Sequence, residues 1–125
     1  MENNAKLIHT MKKVDQELRF KAKEAADNGD PQPNMYNYMV YLADAVHNTR
    51  IWKLIHENGF PTSNTYDKEI MKDFWLLIQH QDLDLTLQQQ CLENCHFEET
   101  EHNHLEDRVL INQGKPQKHS TQYQS

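Results

Sequence analysis

This 125-residue chain is poor in the residues that interrupt helices, with 3 Gly and 4 Pro in all. It holds 2 Cys, Cys91 and Cys95, four apart in a helical pattern where backbone geometry rarely suits a bridge. A disulfide scaffold is therefore not expected, and a reducing compartment would keep both as thiols. No apolar run approaches the roughly 20 residues needed to span a bilayer, and the opening MENNAKLIH lacks a signal peptide's apolar stretch. Membrane insertion and export are not expected, which leaves the cytoplasm as the default compartment. Positive charge is in deficit: Lys and Arg number 13 against 19 Asp and Glu, a net charge of -6. Such a surface repels phosphodiester backbones, so nucleic acid is not an expected partner. Period-two alternation, the mark of strands, is missing, and no internal repeat is visible. No G-x-S-x-G, H-E-x-x-H, P-loop or G-x-G-x-x-G occurs either, so no familiar catalytic signature names a reaction.

What is present is helical periodicity in a chain large enough for one modest core. A first helix is expected over roughly 3–26, with Leu7, Met11, Val14 and Leu18 on its buried side. Asp27-Asn28-Gly29-Asp30-Pro31-Gln32-Pro33 stops it, because Pro blocks helical continuation. A second helix, roughly 35–57, carries Met39, Leu42, Val46, Ile51, Leu54 and Ile55, and ends at Gly59 and Pro61. Ser63, Asn64 or Thr65 would cap a third that runs to about His80 and buries Ile70, Phe74, Leu77 and Ile78. A fourth, about 84–95, opens on Asp84, whose carboxylate suits a helix N-terminus. A fifth, about 99–113, begins near Thr100 and stops before Gly114 and Pro116, leaving 114–125 as an irregular tail. Trp52, Phe74, Trp75, Tyr36, Tyr38 and Tyr41 read as core and helix-contact residues. The fold class is thus all-α, a single-domain bundle of about five helices.

Several short polar motifs punctuate these helices. They are Asp15-Gln16-Glu17-Leu18-Arg19 on the first, Asp44 to Thr49 on the second, and Gly59-Phe60-Pro61 in the following turn. Gln79-His80-Gln81-Asp82-Leu83-Asp84 with Gln88 follows, then Asp107-Arg108-Val109-Leu110, then Gly114-Lys115-Pro116-Gln117 ending in Ser120-Thr121-Gln122. In type and order they resemble the bacterial domain-of-unknown-function family 6624, with its D-Q-x-x-R, D-x-x-x-N-T, G-W-P, Q-H-x-D-x-D-x-x-x-Q, D-R-V-L and G-x-P-Q-x-x-G-T-Q motifs. The resemblance spans nearly the whole chain. It departs at Phe60, where the family has Trp, and at Ser120, where it has Gly, whose backbone freedom a serine lacks. The chain also stops just past Thr121-Gln122, where relatives continue. The resemblance implies a shared fold and a shared site but no assigned activity.

Asp15 and Arg19 share one helix face, as do Asp44 and Asn48. His80, Asp82 and Asp84 sit at a helix-to-helix junction with Gln79, and Gln88 lies one turn further on. If these faces converge, the bundle holds a polar pocket. In the catalytic reading His80 is a general base, since an imidazole beside carboxylates is fixed in one tautomer, with Asp82 or Asp84 orienting it. Asp107 and Thr121 complete that set; a nucleophilic Thr121 would need an adjacent base. Arg19 and Arg108 would hold an anionic group through their planar forks, and Asp44, Asn48, Gln79, Gln88, Gln117 and Gln122 would bind ligand, with the tail as a lid. Bland readings stand beside these: a capping histidine, arginines paired with carboxylates, a frayed tail. No metal or other cofactor is expected. His80, Asp82 and Asp84 offer one nitrogen and two carboxylates, but Cys91, Cys95, His96, His102 and His104 fit no zinc spacing. The expected function is hydrolysis or group transfer on a small anionic metabolite. The alternative is a binding module without turnover, or a structural hydrogen-bond network that leaves a protein partner or homodimer open.

Overall fold

Asn34 closes a capping box with Asn37, each side chain bonding the other's backbone N–H, and this sets the start of the second helix against the first. The same Asn34 side chain donates to the Ala22 carbonyl 3.1 Å away, which ties the turn to the first helix. The computed structural model describes residues 2–122. Its helices are α1 (Glu2–Asp27), α2 (Met35–Asn58), α3 (Lys68–Gln79), α4 (Leu85–Asn94) and α5 (Glu99–Asn112). No strand occurs among the described residues, and the chain is an all-α bundle. None of the helices is long and apolar enough to cross a membrane.

Helix α3 is the hub. It packs on α1, α4 and α5, while α2 packs chiefly on α1. Ile8 and Met11 of α1, Ile51 and Leu54 of α2, Phe74, Leu77 and Ile78 of α3, Leu87 and Cys91 of α4 and Leu105 of α5 form one core. Each large apolar side chain buried there contributes roughly 1.5–3 kcal/mol relative to exposure. Cys91 and Cys95 are both free and buried in it; Cys95 and burial together push the Cys91 thiol well above its usual range.

Three expectations are corrected. On α1 the buried stripe is Ile8, Met11, Asp15 and Ala22, and Val14 is exposed, because the core-facing position after Met11 is filled by a carboxylate. On α2, Met39, Leu42 and Val46 are exposed and so are Tyr38 and Tyr41; the buried residues His47, Ile51, Leu54 and Ile55 all lie in its C-terminal half. On α3 the cap is Asp67, whose side chain accepts from Ile70 N at 2.9 Å. Ser63, Asn64 and Thr65 are instead spent in a turn closed by Thr65 and Tyr66 N–H groups on the Thr62 carbonyl. The buried Pro61 and Tyr66 anchor that turn, which delays helix entry.

Candidate functional site

Asp44, Asn48 and Trp52 succeed one another at four-residue steps, so one stripe of α2 faces the α3–α4 junction. Asn48 Nδ2 donates to Gln81 Oε1 at 3.0 Å and to Asp84 Oδ2 at 2.8 Å. Trp52 Nε1 donates to the same Asp84 oxygen at 2.8 Å, and Gln81 Nε2 donates to the Asp44 carbonyl at 3.0 Å. The other Asp84 oxygen accepts from Leu87 N at 3.0 Å and caps α4, as the sequence leads one to expect. A junction without regular structure is thereby held rigidly against α2. Between the two lies an open groove of about 820 Å³ whose walls include Arg19, Tyr41, Asp44, Asn48, His80 and Asp84.

Behind this groove Asp15 is the common partner. Its Oδ2 lies 2.8 Å from His80 Nδ1 and accepts from Gln16 Nε2 at 2.9 Å, while Oδ1 accepts from Arg19 Nε at 3.0 Å. Burial alone would raise the Asp15 carboxyl, but the bond and charge of His80, with Gln16 and Arg19, outweigh it and hold the group at about 2. An ionised carboxylate only accepts, so Nδ1 of His80 carries the proton and Nε2 is the basic nitrogen. Nε2 has no hydrogen-bond partner among the described residues, and the imidazole, with 20% of its side chain exposed, forms part of the groove wall. Arg19 NH2 also reaches both oxygens of Asp44, at 3.1 and 3.3 Å. Burial nevertheless pushes the Asp44 carboxyl up to about 6, with Arg19 opposing and the Asp15 charge adding to the rise.

Other members of the polar set lie elsewhere. Arg108 grips Asp82 with both arms of its fork, Nε at 2.7 Å. Asn112, four residues on, donates to Asp82 Oδ1 at 3.0 Å and to Gln88 Oε1 at 2.9 Å. Gln88 is fully buried and donates to the Ile78 carbonyl at 3.1 Å, closing the α3 C-terminus onto α4. Gln79 is buried beside it, away from the groove lining. Asp107, fully buried, accepts from the backbone N–H groups of Lys118, His119 and Thr121 at 2.8, 2.9 and 2.9 Å. The Thr121 hydroxyl adds a fourth bond at 2.7 Å. Gln117 and Gln122 bond each other, at 2.9 and 2.8 Å, and Gln122 touches Arg108 and the His104 carbonyl.

The expected common pocket is therefore divided. Arg19, Asp44, Asn48, His80 and Asp84 meet at the groove, with Asp82 on its rim; Asp107, Arg108, Gln117, Thr121 and Gln122 belong to a separate tail clasp, and none of those five lines the groove. Among the described residues the tail folds over α5 and does not form a lid on His80. Asp82 and Asp84 do not orient the imidazole, because Arg108 and Trp52 occupy them; Asp15 does. Asp107 and Thr121 are bonded to each other and to the tail, so they are not placed for chemistry at His80. Both guanidinium groups are engaged by carboxylates. His80, Asp82 and Asp84 point to different partners, and no group of three or more His, Cys, Asp or Glu able to hold a metal occurs among the described residues.

No family model, curated protein or solved structure matches the chain. The site must therefore be read from its own geometry. Sequence reasoning missed Gln81, Trp52 and Asn112, although each stands four residues from, or next to, a residue it did select. That helical spacing was the available signal for Trp52 and Asn112. Gln81 adjoins His80, and nothing local reveals that its amide spans from Asn48 to the Asp44 backbone.

Proposed function

We propose that the groove between α2 and the α3–α4 junction is a small-molecule site where His80 acts as general base, for hydrolysis or group transfer on a small anionic metabolite. The observation that carries this reading is the pair of His80 Nδ1 and the buried Asp15, 2.8 Å apart, with Nε2 unclaimed on the groove wall. A base fixed in tautomer and orientation takes a proton without reorganising first. Tyr41 is the sole bearer of a hydroxyl or thiol among the lining residues, so the natural acceptor of His80's help is a water that attacks directly. Burial pushes the Asp44 carboxyl up to about 6, so it gives up its charge more readily than Asp15, Asp82 and Asp84, which are held below the usual carboxylate range. An anionic substrate group can therefore displace it from Arg19, whose fork then holds the ligand. Kinship with the bacterial family whose motifs the chain resembles is part of the same proposal.

A second reading is favoured by one observation: apart from His80 Nε2, the groove's polar groups largely satisfy one another. In that reading the network clasps α1, α2 and the junction and turns nothing over. The two part company at His80→Gln, whose amide still donates to Asp15 but supplies no base. Small phosphate and carboxylate esters are screened by thermal shift at neutral pH and then for product release. The catalytic reading expects a hit whose Tm shift survives in His80→Gln while product formation is lost. If no compound shifts the parent while His80→Ala lowers Tm by several degrees, the network is structural alone.

A further inference from the structure

Helix α2 carries an apolar stripe on the side turned away from the core. Met35, Tyr38, Met39, Leu42 and Val46 recur at helical spacing and are 73, 60, 39, 68 and 53% exposed. From Met35 to Thr49 the one charged residue is Asp44, and it faces the groove, bonded to Arg19. The face of α2 that packs inward is the opposite one, through His47, Ile51, Leu54 and Ile55. Single exposed apolar residues are ordinary, but a continuous stripe of this kind marks an interaction surface.

We infer that this stripe is the interface of a symmetric dimer in which α2 packs antiparallel on α2 of a second copy, with Leu42 at the two-fold axis. Three observations select that occupant. The first is area: taking roughly 200 Å² for a fully exposed large side chain, the five exposed fractions give roughly 600 Å². That is most of the roughly 800 Å² per partner in a standard interface. The second is shape. Pairing about Leu42 sets bulky Tyr38 and Met39 against the smaller Ala45 and Val46 of the other copy, and Met35 against Thr49, so large faces small along the seam. The third is charge. Exposed Arg50 lies towards the C-terminal end of α2, where Lys53 is paired with Glu57 at 3.9 Å, and exposed Asp30 just precedes its N-terminal end. Antiparallel packing brings Arg50 to the end that carries Asp30 of the other copy, whereas parallel packing sets Arg50 beside Arg50. A chain of net charge -6 repels its own copy elsewhere, and the uncharged stripe is where approach is least opposed.

Light scattering on the intact chain across the micromolar range tests this directly. A concentration-dependent doubling of mass is expected, together with its loss in Leu42→Glu, where the axis sets two carboxylates side by side. Leu42 is exposed, so the variant's helicity and monomer fold are expected to match the parent's by circular dichroism. Orientation is read by cross-linking, with Cys91 and Cys95 buried and silent. Leu42→Cys forms a covalent dimer on mild oxidation, Met35→Cys alone does not, and Met35→Cys combined with Thr49→Cys does. A chain that stays monomeric throughout, a dimer that survives Leu42→Glu, or a Met35→Cys single variant that cross-links would each overturn the proposal.

Discussion

Asp15 and Asp107 are both buried carboxylates held at about 2, yet their partners differ in kind. Around Asp107 burial works to raise the carboxyl, and the Thr121 hydroxyl with the N–H groups of Thr121, His119 and Lys118 outweighs it. All four donors come from one short piece of tail, so the acid is saturated and has nothing left to offer a ligand. Around Asp15 the donors are side chains from α1 and from the α3 C-terminus, and one of them, His80, keeps its far nitrogen on an open groove. A buried ionised aspartate is thus no mark of a site by itself. What matters is whether a partner has a second face that remains in reach of solvent. Asp15 passes that criterion and Asp107 fails it.

Removing each acid separates the two roles. Asp15→Ala is expected to cost about 2–3 kcal/mol in urea unfolding, less than the roughly 3–5 kcal/mol for breaking a fully buried pair because Arg19 is one-third exposed. It also frees the imidazole of its orienting acceptor, so any ligand response at the groove falls with it. Asp107→Ala is expected to cost about 2 kcal/mol, since the tail's freed N–H groups can find water. Amide exchange at Lys118, His119 and Thr121 should lose protection while the groove's ligand response stays intact. Tail amides that remain protected in Asp107→Ala, or a groove response that vanishes with it, would erase the distinction between the two regions.

Acid titration sharpens the comparison through its sign. Both acids have native values near 2, below the ordinary 3.8, so each contributes stability that is complete above about pH 4 and is lost as pH falls towards about 2. Asp44 runs the other way. Its native value of about 6 lies above 3.8, so the folded chain binds the extra proton between those limits. Its contribution is full below 3.8 and disappears as pH rises through about 6. Between pH 4 and 6 the parent is expected to lose about 1–2 kcal/mol from this group, given its native value of about 6 on a side chain 23% exposed. Asp44→Asn should flatten that limb of the stability curve, measured by urea midpoints at half-unit steps. An unchanged slope in the variant would show that Asp44 titrates as an ordinary surface acid and would remove the argument that it yields Arg19 to a substrate.

Helix number and order were legible because Gly and Pro are so few that each break stands out, and because Phe74, Leu77 and Ile78 keep a clean period. Faces were less legible. Asp15 occupies a core position that hydropathy assigns to an apolar residue, which turned the reading of α1 towards Val14. On α2 the apolar residues outnumber what one helical neighbour can cover, so periodicity could not say which side faces α1. The candidate site was half legible. Spacing of four united Asp15 with Arg19 and Asp44 with Asn48, but the partner of His80 lies 65 positions away in sequence. The division between groove and tail clasp was likewise invisible, because Asp107, Arg108, Thr121 and Gln122 are polar residues of the same kinds as those that line the groove.

The smallest expected effect tests how the clasp around Asp107 is built. Ser120 stands between two residues that donate to that carboxylate, His119 and Thr121, and its φ of 57° lies in the left-handed region. The serine accepts this positive φ, and the turn brings the N–H groups of 118, 119 and 121 onto one acid. That conformation costs an L-residue roughly 1–2 kcal/mol. Glycine would relieve it but would lose roughly 0.5–1 kcal/mol more backbone entropy on folding. The balance favours Ser120→Gly by about 0.5 kcal/mol, a small upward shift in the urea midpoint with no change at the groove. In an Asp107→Ala background the same substitution should bring no gain, because a released tail no longer holds position 120 at positive φ. A gain that persists without Asp107 would mean that the tail's path is set by something other than that carboxylate.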